Sequence, residues 1–296
     1  MRTLSGVLKE QYGEKLYKLS LSSGCTCPVR DGTISKDGCT FCSAGGSGEF
    51  SVPFLPIEEQ ITLAKKNAAG KHAGSYIAYF QSYTNTYGDP SRLRELYTAA
   101  ISFPEIRILS LGTRPDCLGD EMMELLIDLN RIKPVWVELG LQTIHEETAQ
   151  RIGRGYPLSV YEEAIQKLKS AGITVIVHMI FSLPGESEEM MLESMRYLCD
   201  PSHRPDGVKL QMLNILKGSQ MEEEYRNEPF PLLSQDTYTS LIVKAIQILP
   251  VDMVLHRMTG DGPKQLLVAP TWVCNKKAVL NEINRKLRAL PVNPLR

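Results

Sequence analysis

Four of the seven cysteines fall close together, as Cys25, Cys27, Cys39 and Cys42. Thiols crowded on one glycine-bearing segment are more often metal ligands than disulfide partners when nothing marks the chain for secretion. Two chemistries fit the spacing. A closed four-thiolate zinc site would use all four, because Cys39-x-x-Cys42 is a common half of such sites and zinc takes a tetrahedron of ligands. Cys25-x-Cys27 is an unusual other half. Alternatively Cys27, Cys39 and Cys42 alone hold three irons of a [4Fe–4S] cluster and leave the fourth iron open to a small molecule. Spacing by itself leaves both readings open.

Elements able to hold such a segment stand on both sides of it. Tyr17–Leu21 reads as a strand that delivers the chain into the cysteines, and the loop closes on Gly45, Gly46 and Gly48. Ile57–Asn67 carries Glu58 and Glu59 in its first turn and Lys65 and Lys66 near its end, the charge order that complements a helix dipole. Further strand-like runs follow at Ser75–Phe80, Ile106–Leu111, Pro134–Gly140, Ile173–Ile180 and Gly207–Leu213. They alternate with helical periods at Leu118–Asn130, Tyr161–Ser170 and Glu188–Leu198. Six such strands, without room for eight, predict an α/β fold, a partial (β/α)6 TIM-like barrel over residues 1–217 with its cluster loop at 24–48. After Lys217 the pattern changes. Glu222, Glu223, Glu224 and Pro229-Phe230-Pro231 read as a linker, Ser234 opens a helix to Leu249, Met253–Arg257 is a short strand, and a last helix starts near Asn275. Residues 218–296 are expected to form an α+β C-terminal extension.

Barrel active sites form on the loops at the carboxyl ends of the strands. The polar segment Gln81–Gly88 and the turn Gly112-Thr113-Arg114-Pro115-Asp116 are placed there. Glu138 stands inside an apolar run, where a carboxylate needs a partner or a function; a salt-bridged interior residue and a ligand contact are both open. His178, alone on its strand, reads as a satisfied core residue.

A hydrophobic fraction of 43% suffices for a core, and a net charge of −1 advertises no overall attraction for nucleic acid. Locally, Lys276, Lys277, Arg285, Lys286, Arg288 and Arg296 face the single acid Glu282, either as a solvated helix face or as a phosphate-contacting patch. No apolar run reaches the ~18 residues of a membrane helix. The first ten residues lack the apolar core of a signal peptide. A cytoplasmic protein with no membrane partner is expected, in which Cys117, Cys199 and Cys274 are reduced packing residues.

The run Cys27-x11-Cys39-x2-Cys42, with Phe41 before its last cysteine and a strand ahead of the loop, resembles the cluster motif of radical S-adenosylmethionine (SAM) enzymes. Its long first spacing is a mark of the branch similar to the radical SAM half of the elongator catalytic subunit. Gly112–Asp116, Val137-Glu138-Leu139-Gly140-Leu141-Gln142, and His178-Met179-Ile180 leading to Leu183-Pro184-Gly185 match that branch as well. Tyr79–Tyr87, His256–Asp261 and Pro270-Thr271-Trp272 resemble the shorter YhcC/YtqA-like radical SAM proteins. In one departure, Arg154-Gly155-Tyr156 stands where the family usually shows Arg-Gly-His.

The resemblance implies a radical SAM barrel with a [4Fe–4S] cluster on Cys27, Cys39 and Cys42, SAM on the open iron, and Cys25 as a bystander. It implies SAM contacts at Gln142 and Arg154, with Glu138, Thr113, the backbone near Met179 to Phe181, and Gln81 around them. It further implies transfer RNA as substrate, recognised at the anticodon loop, and an electron donor such as flavodoxin or ferredoxin. The expected reaction converts 5-carboxymethylaminomethyl uridine at the wobble position to the 5-aminomethyl form. Tyr83, Asn85, Tyr87, Arg114 and His256 are the candidate substrate contacts, aromatic rings being able to stack on an unpaired base. Alternatives are a radical SAM enzyme acting on a small molecule or a protein, and a non-catalytic zinc-binding scaffold.

Overall fold

The computed structural model describes residues 2–68, 74–260 and 262–291. The chain opens with a two-residue strand, β1 (Arg2–Thr3), and helix α1 (Leu4–Tyr12), and then enters β2 (Tyr17–Leu21). After the cysteine loop, helices and strands alternate as α2 (Ile57–Asn67), β3 (Tyr76–Phe80), α3 (Pro90–Ser102), β4 (Ile106–Thr113), α4 (Asp120–Ile132) and β5 (Val135–Gln142). Next come α5 (Glu146–Arg151), α6 (Leu158–Ser170), β6 (Thr174–Phe181), α7 (Glu188–Tyr197) and β7 (Gly207–Met212). The six expected strands are thus all present, in sequential and parallel register from β2 to β7.

The sheet does not stop at six. Beyond β7 the chain forms β8 (Ile215–Leu216), α8 (Gln220–Asn227), α9 (Gln235–Ile248), β9 (Val254–Arg257), β10 (Leu267–Ala269) and α10 (Lys276–Arg288). β9 returns to pair in parallel with β7, and β1 pairs in parallel with β9, making an eight-stranded sheet ordered β1-β9-β7-β6-β5-β4-β3-β2. The segment read as a linker instead holds α8, whose N-terminus is capped by Ser219 accepting from Glu222 N. Helix α3, unmarked by charge order, starts at Asp89, which accepts from Ser91 N, with Pro90 at its first position.

Alternation along each strand sorts side chains between two faces. The outward set, with Leu109, Leu111, Val137, Leu139, Val175, Val177, Met179 and Phe181 among it, forms the main core with the helices. The inward set starts with Ile77, Ile108, Trp136 and Ile176, which pack against Leu8 and Leu16 so that α1 plugs the amino-terminal end of the barrel. Above them the inward positions turn polar, and the site is built there.

Candidate active site

Cys27, Cys39 and Cys42 line one cavity of about 750 Å³ above the sheet, with Arg30, Gln81, Thr113 and Gln142. Cys25 faces a different hollow, where Arg92 donates to its Sγ at 3.3 Å. Three thiols, not four, therefore share a space. Their loop is drawn tight by Gly38 N donating to Val29 O at 2.6 Å, and by Arg30 Nη2 donating to the carbonyls of Cys42 and Ser43 at 3.1 and 2.7 Å. It docks on the barrel where Thr40 N donates to Ile152 O. A hydrogen bond from Cys39, aided by one from Ser47, lowers the Cys42 pKa to about 7 despite burial. The same pairing and burial raise that of Cys39. Among the described residues no three His, Cys, Asp or Glu side chains converge on a point as the ligands of a single ion do. The three cysteines line one cavity, and an all-thiolate set of three is a donor set that suits an iron–sulfur cluster.

Glycines let the loop approach so closely. A Cβ on Gly48 would overlap Ser82, and Gly153, at φ +66°, passes 3.0 Å from Gly38 O at the place its own Cβ would occupy.

Thr113 and Gln142 sit on the cavity wall at the ends of β4 and β5, Gln142 with a positive φ of 65°. Thr113 Oγ1 and Thr86 Oγ1 are 2.5 Å apart. Arg154 also lines the cavity and is almost fully buried, but its nitrogens are engaged. Nε donates to Tyr156 O, Nη1 to Thr143 O at 2.7 Å, and Nη2 to both Glu146 oxygens at 3.2 and 3.3 Å. The expected free fork for a methionine carboxylate is therefore turned to protein oxygens. Met179 and Phe181 point into the helix-side core, so only their backbone can face a ligand.

Below the cavity the inward polar positions form one ion cluster. Glu138, fully buried on β5, accepts from Lys18 Nζ at 2.7 Å, Ser110 Oγ at 2.7 Å and Lys209 Nζ, and pairs with His178 Nε2 at 2.8 Å. Burial alone would raise its pKa; Lys18 and Lys209 outweigh that and hold the carboxyl well below its usual range. Burial, with Lys209 adjacent, lowers His178 to about 4. Lys18 and Lys209 also lie over the Tyr79 ring, at 3.9 and 4.6 Å from its centre. The salt-bridged reading of Glu138 is the one its contacts fit, and His178, expected as a satisfied core residue, has Glu138 as its partner.

Of the candidate substrate contacts, Tyr83 and Arg114 line the cavity. Tyr83 Oη donates to Ala44 O, and Arg114 makes a two-point bridge to Asp116 at 2.9 and 2.6 Å that raises its pKa against the effect of burial. Tyr87 borders the Cys25 hollow and bonds Thr33 Oγ1 at 2.7 Å. Asn85 does not reach the cavity: it is fully buried, its amide nitrogen donating to Phe80 O and Gly112 O and its oxygen accepting from Ser23. His256 is withdrawn as well, its ring edge-on to Trp136 at 5.3 Å near the plugged end of the barrel. Both lie where alternation and a polar residue type could not separate a crosslink from a contact. Sequence reasoning missed Arg30, Lys18, Lys209 and Arg257. Lys209, set between Val208 and Leu210, carried the same signal that singled out Glu138.

A second chamber of about 1570 Å³ adjoins the cavity and shares Phe41, Ser47, Gln81, Gln142 and His178 with it. Lys18, Tyr79, Gln211, Asn214 and Arg257 line its far side.

Residues 29–198 match the Radical SAM superfamily model and residues 205–289 the Radical_SAM C-terminal domain model. YtqA of Bacillus subtilis is 40% identical over 96% of this chain and 88% of its own length. A tRNA uridine(34) acetyltransferase of Dehalococcoides mccartyi is 29% identical over 54% of this chain and 35% of its own. In structure, an Elp3 from the archaeon Methanocaldococcus infernus covers 92% of this chain and 63% of that chain, with a TM-score of 0.67 at 19% identity.

Proposed function

The chain belongs to the radical SAM superfamily, whose members use a [4Fe–4S] cluster and SAM, and from that premise we propose that it modifies transfer RNA at the wobble uridine. The substrate arm is 5-carboxymethylaminomethyl, with or without a 2-thio group, and the product arm is 5-aminomethyl. Likeness of over half the chain to a protein named for transfer-RNA uridine 34 carries this reading. The zinc-scaffold reading falls with the family.

Cys27, Cys39 and Cys42 would hold the cluster, and Gln81, Thr113, Gln142 and the backbone of Met179 to Phe181 would form the polar wall against SAM. When bound, that pair supplies a 5′-deoxyadenosyl radical able to take one hydrogen atom from the substrate. Arg154 and Glu138 act as positioning residues, the first fixing the loop between Thr143 and Tyr156, the second keeping Lys18, Lys209 and His178 in one arrangement beneath the cavity. Tyr83 and Arg114 on the cavity wall, with Tyr87 outside it, are the residues for the base.

The chemistry balances without an outside oxidant. Oxidation of the glycyl methylene to the imine releases two electrons, and conversion of SAM to methionine and 5′-deoxyadenosine takes up two. Water then splits the imine, the nitrogen staying on the uridine arm and the two-carbon fragment leaving as glyoxylate. A single electron from a flavodoxin- or ferredoxin-type donor primes the cycle. Residues 218–296 are proposed as the part that meets RNA, through the exposed Lys277, Arg285 and Arg288 of α10.

The test is anaerobic incubation of the reconstituted protein with SAM, a reductant and transfer RNA bearing the carboxymethylaminomethyl arm. Equal amounts of 5-aminomethyluridine and 5′-deoxyadenosine are expected, both lost in Cys27→Ala. SAM cleavage with the nucleoside unchanged would overturn the RNA reading. It would favour the second reading, a small-molecule or protein substrate, to which the net charge of −1 points.

A further inference from the structure

The chamber beside the SAM cavity is lined by an arginine that makes no ion pair among the described residues and by an asparagine whose side-chain oxygen has no donor. Lys18, Lys209 and Arg257 reach the barrel interior against one acid, Glu138. Burial keeps His178 and His256 neutral, and inclines Lys209 to lose its proton. Lys18 and Lys209 both bridge to Glu138, and Arg257 takes no part in that cluster of ion pairs. Glu49, the other acid on the chamber wall, accepts from Ser43.

Arg257 has no carboxylate partner among the described residues; its bond runs from Nη2 to Gln211 Oε1, and its buried Nε meets no acceptor. Asn214 Oδ1 is buried without a donor. Gly260 brings the group together: a Cβ there would stand 3.2 Å from Gln211 Cβ, 3.5 Å from Asn214 Nδ2 and 3.8 Å from Arg257 Nη2. Both side chains line the chamber, Arg257 with no carboxylate to hold, so the wall offers a ligand a guanidinium beside an amide.

A guanidinium wants an anion, and an amide oxygen wants an N–H; a carboxylate one carbon from an amine offers the two together. We propose that Arg257 and Asn214 recognise the amino-carboxylate end of the substrate, Arg257 taking the carboxylate and Asn214 Oδ1 the amine. This rests on the reading that the substrate arm is carboxymethylaminomethyl, and it makes these residues the ones that tell substrate from product. The product keeps the amine and has lost the carboxylate, so Arg257 has nothing to hold once the reaction is over. The methylene that gives up its hydrogen lies between the two recognised groups.

The experiment compares wild type with Arg257→Gln, Arg257→Lys and Gln211→Glu, the last placing an acid on Arg257 within the protein. Each is given an anticodon stem-loop carrying 5-carboxymethylaminomethyluridine, and each is titrated separately with N-methylglycine and with methylamine. Arg257→Gln and Gln211→Glu should raise KM about tenfold or more with kcat changed less, and Arg257→Lys should recover part of the loss. N-methylglycine should bind wild type and not Arg257→Gln; methylamine should bind neither. An unchanged KM in Arg257→Gln with turnover intact would overturn the assignment while leaving the RNA reading in place. Failure of wild type to convert the stem-loop, with N-methylglycine binding still dependent on Arg257, would sink the RNA reading and uphold the amino-carboxylate site. N-methylglycine binding equally to wild type and Arg257→Gln would overturn the site outright.

Discussion

Cys25 and Cys27 are two residues apart and do different things: one thiol meets Arg92 and the other enters the cavity. Replacing Cys27, Cys39 or Cys42 by alanine should each abolish the cluster, seen as loss of iron and of the brown colour after anaerobic reconstitution. Cys25→Ala should keep about four irons per chain. Loss of iron in Cys25→Ala equal to that in Cys27→Ala would refute the assignment of ligands. Glu138 is legible in the sequence as an acid in an apolar strand, but its partners come from β2, β4, β6 and β7, and no local pattern announces them. Removing one member of a buried ion cluster leaves the others uncompensated, so Glu138→Ala should cost about 3–5 kcal/mol in denaturant unfolding. The His178 pKa of about 4 lies below its ordinary value, so below neutrality the unfolded chain takes up its proton first. Stability from this group is therefore full above about pH 6.5 and lost as pH falls towards 4, by on the order of 3 kcal/mol. His178→Gln should flatten the stability curve in that window, and a parallel curve would show that His178 is not held neutral in the fold.

The repeating helices and strands were legible element by element because each has its own periodicity: β2 and α2 fall where the residue pattern puts them. What joins the sheet at its far edge was not. β1, two residues long, is too short for alternation to register; β9 falls in the expected strand Met253–Arg257, but its place beside β7 is fixed by pairing with a partner far away in the chain. The cysteine loop has no regular structure, so its shape is set by close approaches that only glycine permits. At Gly153 both the positive φ and the neighbouring Gly38 carbonyl, 3.0 Å from where a Cβ would stand, make a side chain strained. Gly153→Ala should lower iron incorporation while leaving the far-UV circular dichroism of the barrel intact; full iron loading would show that the loop docks with room to spare.

Across the molecule, a net charge of −1 hides an uneven surface. The expected basic tail is helix α10, which buries Val279, Ile283 and Leu287 against α9 and turns Lys277, Arg285 and Arg288 to solvent. Lys286, counted with them from sequence, is instead taken up by Asp236, Thr239 and Ser240 at the start of α9. Residues 292–296, with Arg296, and Asp261 lie outside the described residues. Changing Lys277, Arg285 and Arg288 to alanine should weaken RNA binding and flatten its salt dependence, by up to about 0.7–0.9 in log–log slope for each phosphate no longer neutralised. An unchanged slope would make α10 a solvated face. Among the described residues no helix is long and apolar enough to cross a membrane. Whether this barrel trims the wobble-uridine arm is decided by mass spectrometry of nucleosides from the transfer RNA of a strain lacking the gene. In that strain 5-carboxymethylaminomethyl uridine should accumulate and the 5-aminomethyl form and anything built on it should disappear, restored by the wild-type gene and not by Cys27→Ala; an unaltered nucleoside profile would contradict the proposed reaction.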